Sequence, residues 1–174
     1  MLEIPLTQGK NAIIDDEDYS RISGYSWFTH RERNQFYAWA YAGGGRKRRQ
    51  YIRMHQLILA RQGTVEVDHI NGDGLDNRRH NLRYATRHQN SMNMRKHSHG
   101  SSRFKGVCWD RNTRGRKKWL AQITSNYKRI FLGRYLDEEQ AARAYDEAAL
   151  RHFKQFARLN FPAEMAELVR CLKR

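Results

Sequence analysis

VDHINGDGLDNRRHNLRYATRHQN, which runs from Val67 to Asn90, is the most informative stretch of this sequence. The part from Val65 to Arg83 is rich in Gly, Asp and Asn, which predicts that it is mostly loop and turn. Thr86 stands three residues before Gln89, the spacing of a capping box, in which each side chain binds the backbone N–H of the other residue. A helix is therefore predicted from Arg87 to about Arg95, with Asn90 in its first or second turn.

An adjacent Asp68 and His69 open this stretch, and Asn81 and Asn90 follow them. Hydrolysis of a phosphodiester needs a general base that deprotonates water and a divalent metal that stabilises charge on the leaving oxygen. Because neighbouring side chains of an extended backbone point to opposite sides, His69 can face the water while Asp68 faces the metal. An isolated Asp-His pair usually marks a surface turn, but the joint pattern favours a catalytic site.

The segment from Met54 to Asn93 resembles the HNH homing endonucleases, whose motif forms a metal-binding fold of two strands and one helix. The opening IPLTQGKNAIIDDEDY, from Ile4 to Tyr19, is similar to the N-terminal region of phage members of that family. The resemblance implies that His69 is the general base of a DNA endonuclease.

The resemblance also assigns the other residues of the motif. It implies that Asp68 and Asn90 bind the metal and that the side-chain amide of Asn81 ties the loop backbone together. The family name implies a His at the position of Asn90. Since Asn offers an oxygen ligand, Mg²⁺ or Mn²⁺ fits this position better than Zn²⁺.

Other polar residues near the motif have competing interpretations. His88, two residues before Asn90, is the main rival for metal ligation. Asp73 and Asp76 are expected to shape turns, and either could add a contact to the metal ligands. His55 is expected to pack or to support the loop rather than to take part in chemistry.

The charge of the chain indicates a polyanionic partner. It has 33 Lys and Arg and 18 Asp and Glu, and the stretch from Arg46 to Leu136 contains 22 of the basic residues and 5 of the acidic ones. This excess favours nucleic acid, and double-stranded DNA is the predicted partner. No apolar run approaches the ~20 residues of a membrane-spanning helix, so no membrane partner is expected.

The N-terminal residues alternate short strand-like runs with turns. Strands are expected at Asn11–Ile14, Trp27–Thr29 and Phe36–Ala42, and a short helix after Asp15. A further helix is expected from Met54 to Arg61, because its apolar residues share one face. Gly43–Arg49 is a turn followed by a charge run, which can be a solvated hairpin tip or a phosphate contact.

The C-terminal half predicts a small sheet that packs against one helix. Strands are expected at Phe104–Trp109, Lys117–Thr124 and Lys128–Arg134, with one apolar face and one polar and basic face. Asp137 with Gln140 three residues later is an N-cap signature. A helix is therefore predicted from Glu138 to Phe153, and its alanines allow it to lie close to the apolar face of the sheet.

This half resembles the Apetala/ethylene-responsive-factor DNA-binding domain. The matching motifs are FKGVCW (Phe104–Trp109), KWLAQI (Lys118–Ile123), RIFLGRY (Arg129–Tyr135), EEQAARAYDEAAL (Glu138–Leu150) and LNFP (Leu159–Pro162). The family lays the free face of its sheet in the major groove. The resemblance implies DNA contacts from Lys105, Trp109, Arg111, Arg116, Lys118, Gln122, Thr124, Arg129 and Phe131. Cys108, Gln122 and Thr124 depart from the plant pattern, so the plant target sequence is not expected here.

The predicted fold class is α+β. A small N-terminal β-rich region leads into a ββα-metal HNH motif, and a three-stranded antiparallel sheet packed on one helix follows. The predicted domains are a nuclease domain over 1–96, a linker over 97–102, a DNA-binding domain over 103–162 and a C-terminal tail or helix over 163–174.

The predicted function is a homing-type DNA endonuclease with a single divalent metal, which nicks DNA as a monomer or weak dimer. The expected location is the cytoplasm, that of a bacterial host cell if a phage encodes the chain. The alternative is a non-enzymatic, sequence-specific DNA-binding regulator with a degenerate nuclease motif. An RNA-binding protein is a weaker interpretation, because no aromatic ribonucleoprotein motif is present.

Overall fold

The structure, a computed structural model, describes residues 1–32, 34–45, 48–60, 63, 65–96 and 100–164. The chain forms two compact units that divide between Ser91 and Met92. Both contain helices and antiparallel sheets, which confirms the predicted α+β fold class. Arg46 and Lys47 of the predicted basic turn, 97–99 of the predicted linker and 165–174 of the predicted tail lie outside the described residues. Within the described ranges, no helix combines the length and the apolar character needed to cross a membrane.

Short antiparallel strands make up much of the first unit. The N-terminal hairpin consists of β1 (Leu2–Pro5) and β2 (Asn11–Ile14). A three-stranded antiparallel sheet follows, with β3 (Trp27–Glu32), β4 (Gln35–Gly43) and β5 (Gln50–Arg53). The helices before the predicted motif are α1 (Tyr19–Ile22), preceded by a 3-10 turn at Asp16–Asp18, and α2 (Met54–Ile58). The predicted N-terminal strands are confirmed, and the helix predicted from Met54 ends at Ile58 rather than Arg61.

Alternation gives the β3–β4–β5 sheet one buried face. Trp27 and Thr29 of β3 stand opposite Ala40 and Ala38 of β4, and all four side chains are buried. The two alanines leave room for the neighbouring elements to approach closely. The apolar core of the unit consists of Ala12, Ile14, Ile22, Trp27, Ala38, Ala40, Met54, Ile58, Val67 and Leu82.

Two further strands and a helix complete the first unit. They are β6 (Glu66–His69), β7 (Leu82–Ala85) and α3 (Arg87–Met92). The expectation that Val65–Arg83 is mostly loop and turn is confirmed between Ile70 and Asn81. The ends of this stretch are strands that pair their backbones, and Val67 and Leu82 are buried in the core. The capping box is confirmed, since Thr86 N donates to Gln89 Oε1 at 2.8 Å and Gln89 N donates to Thr86 Oγ1 at 3.2 Å.

The second unit is a three-stranded antiparallel sheet backed by one long helix. Its elements are β8 (Val107–Trp109), β9 (Trp119–Ser125), β10 (Lys128–Tyr135) and α4 (Glu138–Phe153), with β9 in the centre of the sheet. The predicted N-cap is confirmed, because Gln140 N donates to Asp137 Oδ1 at 2.9 Å. The first strand begins at Val107 rather than Phe104, directly after Gly106, which has a positive φ of 78°.

A buried carboxylate on α4 fastens the end of the second unit to its beginning. Asp146 is fully buried and accepts hydrogen bonds from the backbone N–H of Asn160 at 2.9 Å and of Phe161 at 2.8 Å. The Asn160 side chain in turn accepts from Lys105 N at 2.8 Å and donates to Lys105 O at 3.1 Å. The carboxylate therefore organises backbone from both ends of the unit.

Replacing Asp146 by Ala is expected to destabilise the second unit by about 3 kcal/mol or more, because buried N–H groups lose their acceptor. Amide hydrogen exchange of β9 and β10 measures this, since it reports the opening of that unit alone. Glu147→Ala, at the exposed neighbouring position of the same helix, is the matched control. Equal protection in the two variants would contradict the organising role of Asp146.

Candidate functional site

His69, at the end of β6, is buried and oriented by an asparagine. Its Nε2 lies 3.2 Å from Asn77 Oδ1. The Asn77 amide is itself oriented, since its Nδ2 donates to the carbonyl of Leu75 at 3.0 Å. Because Oδ1 can only accept, Nε2 of the neutral ring carries the proton and Nδ1 has the lone pair.

The surroundings of His69 keep the ring neutral. The rings of Tyr37 and His55 lie 5.9 and 4.7 Å from it between centroids. Burial lowers the pKa of His69 below its usual 6.5, although the hydrogen bond to Asn77 and the nearby Asp68 carboxylate act in the opposite direction. A neutral imidazole at pH 7 is the form that a general base requires.

Asn77 is a site residue that the sequence analysis did not single out. It is fully buried, which is unusual for an asparagine and requires that its amide be hydrogen-bonded. In sequence it follows Asp76 inside a Gly-rich loop, and both residue types are common in turns. Only its burial and its hydrogen bond with the His69 ring distinguish it from a turn residue.

The opposite side of β6 carries the carboxylates. Glu66 and Asp68 alternate with His69 along the strand and therefore share the other face. Asp68 Oδ2 accepts from Arg83 Nε at 2.9 Å and Nη2 at 2.6 Å, and Arg83 is its partner across the strands. Asn90 Nδ2 donates to Glu66 Oε2 at 2.8 Å. The structure thus brings Asn90 to the face that bears Asp68, while His69 lies on the other side of the strand.

The donor types on this face fit a hard divalent cation. The carboxylates of Glu66 and Asp68 and the amide oxygen of Asn90 are ligands of the kind that Mg²⁺ and Mn²⁺ prefer. Arg83 already binds Asp68, so a cation would compete with its guanidinium for that carboxylate. In the part of the chain that is described, no three His, Cys, Asp or Glu side chains converge as a metal cluster. The candidate ligand set is therefore two carboxylates and an amide.

His88, the rival ligand, lies on α3 two residues before Asn90. Two residues on a helix are about 200° apart around its axis, so their side chains point to different sides. Asn90 contacts Glu66 of β6. Helix geometry therefore places the side chains of His88 and Asn90 on different sides of α3.

The amide of Asn81 closes the loop between β6 and β7. Its Oδ1 accepts from Asn71 N at 2.9 Å, and its Nδ2 donates to Asp76 O at 2.8 Å and to Asn71 Oδ1 at 3.0 Å. Asp73 shapes the adjacent turn by accepting from Leu75 N at 3.0 Å. The side chain of Asp76 binds Arg78 Nε and Nη2, both at 2.7 Å. These contacts keep the loop in one conformation beside His69.

The same loop rests on the β3–β4 hairpin. Gln35 Nε2 donates to the carbonyl of Gly72. A Cβ at Gly74 would lie 2.4 Å from the carbonyl oxygen of Phe36 and 2.5 Å from the ring of Tyr37, closer than any side chain can tolerate. Glycine at position 74 is therefore required by close packing rather than by its backbone angles.

The free face of the second unit's sheet carries polar and aromatic side chains. Gln122 and Thr124 of β9 stand opposite Phe131 and Arg129 of β10, and Phe131 is 59% exposed. Arg111 and Arg116 are exposed in the segment between β8 and β9. These six residues are the predicted DNA contacts whose side chains face solvent, four on the sheet and two in the segment before β9.

Arg134 joins this face although alternation alone places it on the other one. A bulge between Phe131 and Gly133 shifts the register, so that Gly133 pairs with Ala121 on the apolar face and Arg134 pairs with Leu120. The Arg134 guanidinium lies 5.4 Å from the centre of the Phe131 ring and binds Asp110 Oδ2 through Nε at 3.0 Å and Nη2 at 2.8 Å. Strict alternation, which would place Gly133 on the same face as Arg129 and Phe131, therefore does not continue past the bulge.

Three predicted contact residues lie elsewhere. The Lys105 ammonium donates to the carbonyls of Met92 and Met94, and burial lowers its pKa from 10.5 to about 8. Lys118 Nζ donates to the carbonyl of Thr113 within the segment before β9. Trp109 packs edge-on against Trp119 at 4.8 Å, on the face that also bears Val107 and Ala121. The structure does not place Lys105 or Trp109 on the free face, and the Lys118 ammonium is turned back to the segment before β9.

Comparison with known proteins gives different relatives for different parts of the chain. The family model for HNH endonucleases matches residues 61–92. The chain is 50% identical over 66 residues to an AP2/ERF and B3 domain-containing protein of Oryza sativa subsp. japonica, and this match covers 38% of the chain and 17% of the rice protein. No solved structure matches the chain.

Two proteins of Arabidopsis thaliana are also similar to this chain. An AP2-like ethylene-responsive transcription factor is 39% identical over 62 residues, which cover 36% of the chain and 19% of that protein. An AP2/ERF and B3 domain-containing transcription factor is 43% identical over 61 residues, which cover 35% of the chain and 17% of that protein. The chain spans less than a fifth of the length of these curated relatives.

Replacing Asn81 by Ala is expected to open the loop and destabilise the first unit by about 2 kcal/mol, because Asn71 N–H and the carbonyl of Asp76 lose their partner. Hydrogen exchange at the Asn71 amide should accelerate more than at the β3 and β4 amides. Asn112→Ala, at an exposed position, is the control. Unchanged exchange at Asn71 would show that the amide does not hold the loop.

Proposed function

We propose that this chain is a homing-type, metal-dependent endonuclease that hydrolyses a phosphodiester bond in double-stranded DNA. The observation that carries the proposal is the buried, neutral His69, oriented by Asn77, inside the segment matched by the HNH endonuclease model. In this proposal residues 1–96 are the nuclease domain, 97–102 a linker and 103–162 the DNA-binding domain.

His69 acts as the general base. Its Nδ1 takes a proton from a water molecule, the water oxygen attacks phosphorus, and the bond from phosphorus to the 3′ oxygen breaks. The departing 3′ oxygen takes a proton from solvent water, and the products are a 5′-phosphate and a 3′-hydroxyl. Asn77 holds the ring in the required tautomer, and Asn81 acts as a positioning residue because it fixes the loop that contains Asn77.

Asp68 and Asn90 would hold Mg²⁺ or Mn²⁺, with Glu66 beside them on the same face of β6. When bound, the cation supplies stabilisation of the negative charge on the departing 3′ oxygen. If the cation displaced the Arg83 guanidinium from Asp68, that guanidinium could bind a phosphate instead. One such centre per chain favours nicking of a single strand by a monomer.

Replacing His69 by Ala is expected to lower the nicking rate of supercoiled plasmid with Mg²⁺ or Mn²⁺ by roughly 10²-fold or more, the usual effect of losing a general base. EDTA should abolish nicking by the unmodified chain. His80→Ala, an exposed histidine of the same loop, is the matched control and should keep full activity. Equal rates in the His69 and His80 variants would exclude His69 as the base.

A second candidate function is a DNA-binding regulator that does not cut. The names of the similar plant proteins favour this alternative, since two of these proteins are transcription factors. The same plasmid assay separates the two functions. Binding to a selected DNA sequence without metal-dependent nicking would support the regulator.

Under either function, the free sheet face of the second unit reads the DNA target. Gln122→Ala and Arg134→Ala are each expected to cost about 1–3 kcal/mol and to relax the choice at one or two base pairs, because both residue types bind base edges. Selection from a randomised DNA library measures this. Arg151→Ala, exposed on α4, is the control, and an unchanged base preference in the Arg134 variant would remove that residue from the interface.

A further inference from the structure

A row of aromatic side chains lies on the face of the β3–β4–β5 sheet that is opposite the core of the first unit. Residues that stand directly opposite in an antiparallel sheet share a face. By this register, the face opposite the core carries Phe28, His30, Glu32, Gln35, Tyr37, Trp39, Tyr41, Tyr51 and Arg53. We refer to these residues as the aromatic face. No role for it follows from the nuclease motif or from the second unit.

The rings of the aromatic face contact one another in series. Tyr51 lies 6.0 Å from Phe28, 5.8 Å from Trp39 and 6.2 Å from Tyr41 between ring centroids. His30 stacks on Trp39 at 4.0 Å. Tyr41 and Tyr51 are 49% and 45% exposed, far more than packing in a core would leave them. The sheet therefore presents rigid aromatic rings to solvent.

Positive charge accompanies these rings. The Arg53 guanidinium lies 5.0 Å from the centre of the Trp39 ring, and exposed Arg48 and Arg49 immediately precede β5. The acid on this face, Glu32, is already paired with Arg53 at 2.8 Å. Cations beside exposed rings are complementary to a chain of phosphates with unpaired bases.

One end of the aromatic face reaches His69. Tyr37 lies on this face, and its ring is 5.9 Å from the rings of both His55 and His69. Its hydroxyl donates to Gln35 Oε1 at 2.6 Å, and Gln35 binds the loop at Gly72. A nucleic-acid strand bound along the aromatic face would therefore extend to the proposed site of hydrolysis at His69.

We propose that the aromatic face binds a single-stranded segment of DNA, whose unpaired bases stack on Tyr41 and Tyr51. This inference rests on the proposed function only for the identity of the nucleic acid as DNA. Bases of an intact duplex have their faces covered by neighbouring bases, so stacking on side chains requires unpaired nucleotides. The face would hold a strand that is locally opened next to the cleavage position.

The test measures the affinity of the full chain for a fluorescent oligodeoxythymidylate of about 12 nucleotides, a length within the range that such surfaces cover. The double variant Tyr41→Ala with Tyr51→Ala is expected to bind it at least about 10-fold more weakly, since each lost stack weakens binding roughly 5- to 100-fold. Tyr41→Phe with Tyr51→Phe keeps the rings and should bind as the unmodified chain does. Tyr19→Ala, on α1 and 50% exposed, is the matched control and should have no effect.

Binding of a duplex oligonucleotide, measured beside the single strand, separates the two surfaces of the chain. The alanine double variant should keep its duplex affinity, because the second unit's sheet is unchanged. An unchanged affinity for the single strand, an equal loss for the duplex, or a change of oligomeric state in sedimentation with single-strand binding intact would each overturn the proposal. The last result would mark the face as a protein interface.

The outcome is independent of the nuclease assay. If His69→Ala nicks plasmid as fast as the unmodified chain, the proposed catalytic role fails, yet the tyrosine variants still decide whether the face binds single-stranded DNA. His69→Ala itself should bind the oligodeoxythymidylate normally. A loss of binding in the tyrosine variants with intact duplex affinity supports the inference in either case.

Discussion

Buried backbone groups need hydrogen-bond partners, and in each unit an asparagine amide supplies them where no strand or helix does. Asn81 binds Asn71 and Asp76 across the loop that follows β6. Asn160 binds both backbone groups of Lys105, and Asp146 holds Asn160. The position of His69 depends on the Asn81 amide. The Asn160 amide joins the two ends of the second unit.

The two faces of β6 divide the chemistry of the candidate site. Burial favours the neutral form on the side of His69, while the other side gathers Glu66, Asp68 and Arg83 as charged groups that neutralise one another. One residue of strand alternation thus separates the buried ring of His69 from the paired charges of Asp68 and Arg83. This separation lets the His69 ring and the Asp68 carboxylate be neighbours in sequence without sharing a hydrogen bond.

Short-range patterns in the sequence predicted much of the fold, because they depend on contacts within one turn or one strand. Both capping pairs, Thr86 with Gln89 and Asp137 with Gln140, form as their spacing indicated. Longer-range effects were not predictable in this way. The β10 bulge, which moves Arg134 to the free face, follows from strand pairing, and the burial of Asn77 against His69 follows from how the loop folds back.

The absence of a side chain at position 74 has a consequence for protein engineering. The loop backbone fits against Tyr37 and the Phe36 carbonyl with no space for even a methyl group, and Gln35 binds the same loop. The loop and the hairpin beneath it are thus complementary surfaces that must be inherited together. A chimera that transplants Val67–Asn90 onto another scaffold would need β3 and β4 as well, and recombination between Gly43 and Val65 would separate parts that fit only each other.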